Sequence, residues 1–172
     1  LYGLGTLNAE GIAGGIMHVV YHAVVKALLF MVVGILMNAT GKDDIDDIRG
    51  MRKQLPAVTV FAAVGILGIS GMPPLGIFNS EWLIFTGGFE TAYPVFLTVL
   101  TLLGSLFSVF YALRFLGLLF FSEPLSEKIQ QPGLTLLIPT GLMVAILLIT
   151  GLFADPLLNW SMNGLSILLG GM

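Results

Sequence analysis

What most constrains this chain is where its polar residues are missing. Five stretches, 11–37, 56–72, 75–89, 93–121 and 134–154, are almost wholly apolar, and the charges gather between them. A helix needs roughly 20 apolar residues to cross about 30 Å of hydrocarbon, and most of these stretches approach that length. Only 10% of the 172 residues are charged, against roughly 25% in a soluble domain, too few to cover a surface in water. The sequence therefore predicts an all-α, polytopic transmembrane helix bundle of about five spans, one domain over 1–172, in contact with the lipid bilayer. That excludes a soluble enzyme domain, a nucleic-acid partner and a disulfide scaffold. The chain has no cysteine, so it offers no ligands for an Fe–S cluster or a thiolate metal site; no cofactor is expected on it, and any electron transfer runs elsewhere.

Two connectors are hydrophilic. Residues 39–55 hold Lys42, Asp43, Asp44, Asp46, Asp47, Arg49, Arg52 and Lys53, and residues 122–133 hold Glu123, Glu127 and Lys128 with two prolines and two glutamines. Both are expected in water, and the Lys/Arg count of the first favours the cytoplasmic side of a cell (inner) membrane. The apolar, glycine-rich tail 157–172 reads as interfacial or as a partial span. The chain opens at Leu1 with no basic segment leading into an apolar core, so no signal peptide is read, and an earlier part of the subunit is expected to be missing.

The third stretch is anomalous. It begins with Gly71-Met72-Pro73-Pro74-Leu75-Gly76 and ends near Thr86-Gly87-Gly88, leaving about ten regular helical residues, or roughly 15 Å. Adjacent prolines cannot continue a helix. A broken apolar segment at membrane depth is tolerated only inside protein or beside a wet cavity, and transporters build ion sites from such half-helices. Pro73, Pro74, Gly76 and Ser80 are therefore candidate site-shaping residues.

Most charges lie in the connectors, so those within the apolar blocks are informative. An ionised side chain near the bilayer centre costs on the order of 3 kcal/mol. His18, His22 and Lys26 are spaced i, i+4, i+8, which sets each about 40° around and about 6 Å along a helix from the last. They form a ladder of titratable groups, and histidine titrates near pH 6.5 when unperturbed. Water bridging neighbouring rungs would let a proton pass. The competing reading has the histidines bonding neighbouring helices and Lys26 snorkelling, but Lys26 lies about eleven residues, roughly 16 Å, from Met37. Glu81 follows Phe78-Asn79-Ser80 just past the Pro-Pro break. It reads either as an acid at a helix start, with Asn79 or Ser80 as cap, or as a protonatable carboxylate beside a hydrated path. Arg114 suits a snorkelling anchor, and Gly104, Ser108 and Ala112 suit a close helix–helix contact.

The string His22-Ala23-Val24-Val25-Lys26-Ala27-Leu28-Leu29-Phe30 resembles the H-A-x-x-K-A-L-L-F signature of the antiporter-like subunits of respiratory complex I, Mrp-type antiporters and membrane-bound hydrogenases. Asp47-Ile48-Arg49-Gly50-Met51 with Pro56, and Gly71 to Phe78, resemble that family's following loop and its G-x-P-P-x-x-G-F element, in the expected order over about residues 14 to 121. The resemblance implies the later inverted repeat of a larger fold of about fourteen spans. It implies that His18, His22 and Lys26 belong to a proton-conducting axis. It also implies that Glu81 stands where many members carry a lysine and others a glutamate, at the outlet of the relay. Other membrane subunits of a multisubunit complex, and a chain supplying the earlier half, are the implied partners. The expected function is that of an H⁺-translocating, or Na⁺/H⁺-translocating, subunit of a membrane-bound respiratory or hydrogenase complex, an oxidoreductase whose redox centres lie on other chains. A purely structural membrane-arm subunit and a stand-alone secondary transporter are the alternatives.

Overall fold

The computed structural model describes residues 1–91, 94–123 and 129–168. Tyr93, Glu127, Lys128 and 169–172, which figure in the expectations above, lie outside the described residues. The described residues form seven helices: α1 (Tyr2–Gly5), α2 (Ala9–Thr40), α3 (Pro56–Ile69), α4 (Gly76–Gly88), α5 (Pro94–Phe121), α6 (Leu134–Leu152) and α7 (Asp155–Leu168), with one 3₁₀ turn at Met51–Lys53. Each of the five apolar stretches is helical. Three of them, α2, α5 and α6, are long and apolar enough to cross a membrane on their own.

The central element is α2, whose 32 residues extend about 48 Å at 1.5 Å per residue. Asn8 caps it, its side-chain oxygen accepting from the Gly11 amide at 2.9 Å, and Gly41 at φ +70° ends it. Met17, Tyr21, Val25, Leu28, Val32, Ile35 and Leu36 recur at helical spacing and are all but inaccessible, forming the spine of the core.

The second and third apolar stretches lie end to end along that spine. In α3, Gly65 meets Leu28 and Leu29 and Gly68 meets Val25; in α4, Gly76 meets Tyr21 and Gly87 meets Gly11 and Asn8. Both helices thus run antiparallel to α2, one against its later half and one against its earlier half. They are two half-helices of 14 and 13 residues, and the Gly-Met-Pro-Pro-Leu break falls between them near the level of Tyr21 and Val25. Gly71 at the break takes φ +71°, a left-handed conformation that glycine adopts without steric cost. The α4 helix starts at Gly76 after a Leu75 that makes no side-chain cap, so Asn79 and Ser80 are interior residues and not caps. Glu81 sits in the second turn, and the helix-start reading of this acid is set aside.

The two hydrophilic connectors share one face of the bundle. Lys53 pairs with Glu123 at 3.2 Å, the Gln130 amide donates to the Ala39 carbonyl at 3.0 Å, and the Gln131 side chain donates to the Gln54 carbonyl at 3.3 Å. From this loop side α6 runs inward until Gly151 abuts Pro74, Leu75 and Gly76. Asn79 donates to the Gly151 carbonyl at 2.9 Å, and the Tyr21 hydroxyl donates to the Thr150 carbonyl at 2.9 Å. Carbonyls at the end of a helix lack intrahelical partners, so these two side chains complete α6 while locking it to the break. Tyr21→Phe should therefore lower stability by about 1 kcal/mol, the scale of an interhelical hydrogen bond in a membrane protein; a thermal or SDS unfolding midpoint of the purified protein would show it, and an unchanged midpoint would assign the locking to Asn79 alone.

Candidate functional site

The sequence-predicted relay residues reach the site from two directions. His18 and His22 project from α2 one turn apart, their rings edge-on with centroids 4.4 Å apart. Ser80, fully buried on α4, lies 2.9 Å from Nδ1 of His18. The Ser80 hydroxyl proton is directed to the Ile77 carbonyl at 2.7 Å, so its oxygen accepts from His18. With the serine proton on that carbonyl, His18 carries its own proton on Nδ1, and Nε2 is the nitrogen able to take another. Ser80 thus orients a rung of the ladder.

Glu81, the next residue, points the other way, toward α5. The Ser105 hydroxyl donates to its Oε1 at 3.1 Å, and its Oε2 lies so close over Gly71 that a Cβ there would collide with it. The glycine at the break therefore serves a second purpose besides its backbone conformation: it makes room for a carboxylate ten residues away. Asn79, on a third side of α4, is committed to Gly151.

His18, His22 and Glu81 border a single cleft of about 500 Å³, whose remaining walls are Ile69, Thr101, Gly104, Ser105, Ser108 and Tyr111. The cleft is lined mainly by titratable and hydroxyl-bearing residues, next to half-helices that end midway along α2. Nδ1 of His22 is buried there with no hydrogen-bond partner among the described residues. The expected close contact along Gly104, Ser108 and Ala112 holds only at Ala112, which is 2% exposed. A methyl group added at Gly104 would meet nothing within 4 Å, because the cleft opens there.

Lys26 continues the ladder but leaves the cleft. It lies on the outer face of α2 among exposed Val19, Ala23, Ala27, Phe30 and Val33, a stripe at helical spacing that no described element covers. Arg114 is also exposed, as an anchor would be. Pro73 and Pro74 form the break itself, and Gly76, first in α4, lies flat on the Tyr21 ring. What sequence reasoning missed is the α5 wall: Thr101, Ser105 and Ser108 stand at spacings of four and three on an otherwise apolar helix, a pattern that the order of residues already contains.

Comparisons with known proteins agree with this architecture. The profile described as NADH:quinone oxidoreductase/Mrp antiporter, transmembrane, matches residues 1–108. F(420)H(2) dehydrogenase subunit N of Methanosarcina mazei is 27% identical over 173 aligned positions, covering 94% of this chain and 35% of that protein. The putative antiporter subunit mnhD2 of Staphylococcus aureus is 29% identical over 161, covering 92% of this chain and 32% of its own length. The chain therefore spans about a third of these curated relatives. Among solved structures, a chain of the membrane-bound sulfane sulfur reductase, an archaeal respiratory membrane complex, superposes with a TM-score of 0.78 at 31% identity, covering 87% of this chain and 26% of that one. A chain of the Mrp complex from a Dietzia species gives a TM-score of 0.84 at 18% identity, over 95% of this chain and 39% of that one, a likeness of fold.

Proposed function

Because this chain belongs to the NADH:quinone oxidoreductase/Mrp antiporter transmembrane family, we propose that it carries part of the proton path of an ion-translocating membrane complex. The observation that carries the proposal is the convergence of His18, His22 and Glu81 on one cleft beside an interrupted helix. Three ionisable groups sharing a cavity within an apolar bundle are costly to bury and are, as a rule, functional.

The geometry supports a definite sequence of events. A proton held at Lys26 lies one helical turn from His22, whose ring stacks edge-on with His18. Ser80 holds His18 through Nδ1, so Nε2 exchanges protons with water in the cleft. That water reaches Glu81 on the opposite wall, where a carboxylate becomes a neutral acid on loading. In a site of low effective dielectric, a unit charge moved within several ångströms shifts a neighbour's protonation strongly, so a change of charge near Lys26 is felt along the ladder. Whatever drives that change, a redox reaction on other subunits or the gradient of a second ion, acts from outside this chain.

The exposed position of Lys26 supports a further part of this reading. A lysine on an apolar stripe at membrane depth calls for a polar or acidic neighbour, and we assign that role to a membrane segment supplying the earlier half of the relay. Adjacent imidazoles favour H⁺ as the transported ion.

The test is proton uptake by the intact complex in proteoliposomes. Lys26→Ala is expected to lower the uptake rate about tenfold, equivalent to ~1.4 kcal/mol on the barrier, while Lys26→Arg keeps the charge and loses less. Full uptake with Lys26→Ala would sink the relay role and leave this chain a packing element of the membrane arm.

A further inference from the structure

We propose that a second cleft, on the side of α2 away from Lys26 and with Asp155 at its rim, seats a basic side chain, lysine or arginine, from a membrane helix outside this chain. The proposal rests on the reading of the chain as one part of a larger membrane complex and adds an interface to it.

The cleft, of about 370 Å³, lies where α4 and the start of α7 meet α2. Asp155 is in the first turn of α7, and among the described residues its carboxylate makes no ion pair or hydrogen bond. Asn79 commits its amide nitrogen to the Gly151 carbonyl, which leaves its side-chain oxygen as a free acceptor. The rings of Phe78 and Trp82, with centroids 6.2 Å apart and planes tilted by 31°, add aromatic surface, and a cation within about 6 Å of a ring centroid is attracted to its face. A carboxylate, an amide oxygen and two rings together select a cation. None of the chain's own basic residues borders the cleft.

The surroundings of Asp155 are apolar. Leu152 and Phe153, just before it, are 61% and 69% exposed, and Trp82 and Trp160 are exposed as well. Centred in the bilayer, the 32 residues of α2 overreach about 30 Å of hydrocarbon by about 9 Å at each end. Met17, which borders the cleft, stands about 13 Å from Asn8. Asp155 is therefore level with the margin of the apolar layer. An acid at a helix start in water is accounted for by the helix dipole. One ringed by apolar side chains at membrane depth needs a counter-charge.

Charge and shape decide the occupant. A lipid headgroup that carries an ammonium also carries a phosphate, which would meet the Asp155 carboxylate with no cation and only the Trp82 indole N–H to receive it. A lysine or arginine brings a positive charge without an anion, and its aliphatic stem fits the apolar wall of Met17, Leu83 and Leu158. A second copy of this chain does not supply that side chain. Lys26 is nine residues beyond Met17 on α2, and Arg114 is nine beyond Ser105, which bonds Glu81 beside Trp82. Each thus stands about 13 Å nearer the loop side than the cleft, too far for a copy lying alongside in the same bilayer. Nine residues is also about two and a half helical turns, so Met17 and Lys26 face opposite sides of α2. The helix that fills the cleft is then a different segment from the one that covers Lys26.

The test uses the intact complex. With the photoreactive p-benzoylphenylalanine in place of Trp82, irradiation is expected to cross-link this chain to a membrane helix outside it, within a turn or two of a lysine or arginine. Asp155→Lys sets like charges against each other at the interface and is expected to lower the amount of assembled complex recovered from membranes at least threefold, while Asp155→Glu stays near wild type. An acidic substitution of the cross-linked basic residue is expected to restore assembly of Asp155→Lys. Cross-links confined to lipid or to this chain, wild-type recovery with Asp155→Lys, or no restoration by the reciprocal exchange would overturn the proposal. Assembly and proton uptake are read separately, so full uptake with Lys26→Ala would remove the relay and leave this interface standing.

Discussion

Glu81→Gln should reduce ion uptake by the reconstituted complex tenfold or more, the effect of ~1.4 kcal/mol or more on the rate-limiting step, with little change in stability. The substitution isolates titration from packing. Glutamine keeps the length of the side chain, and its carbonyl oxygen can still accept from Ser105, which now donates to Glu81 at 3.1 Å. It fits the same space over Gly71. What is lost is the exchange between carboxylate and neutral acid. Glu81→Asp, which retains that exchange on a shorter arm, should fall between the two. Rates are to be read as initial proton uptake against the same electron-transfer or counter-ion turnover, so that a loss of coupling is separated from a loss of enzyme. Undiminished uptake with glutamine would remove Glu81 from the relay.

The largest effect on stability is expected at Gly76. It begins α4 with its Cα on the Tyr21 ring, and a Cβ would overlap three of the ring atoms. The ring cannot easily yield, since Tyr21 is 1% exposed and its hydroxyl is held by Thr150. Overpacking a rigid core costs about 1–3 kcal/mol, and more where neighbours cannot move; Gly76→Val belongs at or above the upper end, Gly76→Ala below it. Unfolding midpoints, and the amount of assembled complex recovered from membranes, would register the loss. Gly117→Ala is the control, because nothing lies within 4 Å of the added methyl. Equal stability of the Gly76 and Gly117 variants would mean that the half-helix can slide along α2 without cost.

The long apolar blocks are legible as helices because hydrophobic length is a one-dimensional property, and the ladder His18, His22, Lys26 is legible because residues four apart on a helix face the same way. The relation of α3 to α4 is not. A Gly-Met-Pro-Pro-Leu-Gly element ends a helix equally well in a hairpin between two spans and in the middle of one interrupted span, and only the contacts of Gly68 with Val25 and Gly76 with Tyr21 distinguish these. The seat of Glu81 is hidden for a similar reason, since nothing local ties it to Gly71 or Ser105. Asn79 and Ser80 look like caps because their residue types favour helix starts, and that preference yields to tertiary bonds with Gly151 and His18.

The outward position of Lys26 has a consequence for biogenesis. A membrane chain that presents a cation on an apolar stripe is about 3 kcal/mol less at home in lipid than one without it, a penalty relieved only when a neighbour covers that stripe. Copies not yet covered by a neighbour would carry that penalty in full and would be less stable than assembled ones. The lysine would thus tie the lifetime of the polypeptide to its assembly, and synthesis in excess of the neighbour would raise turnover and not abundance.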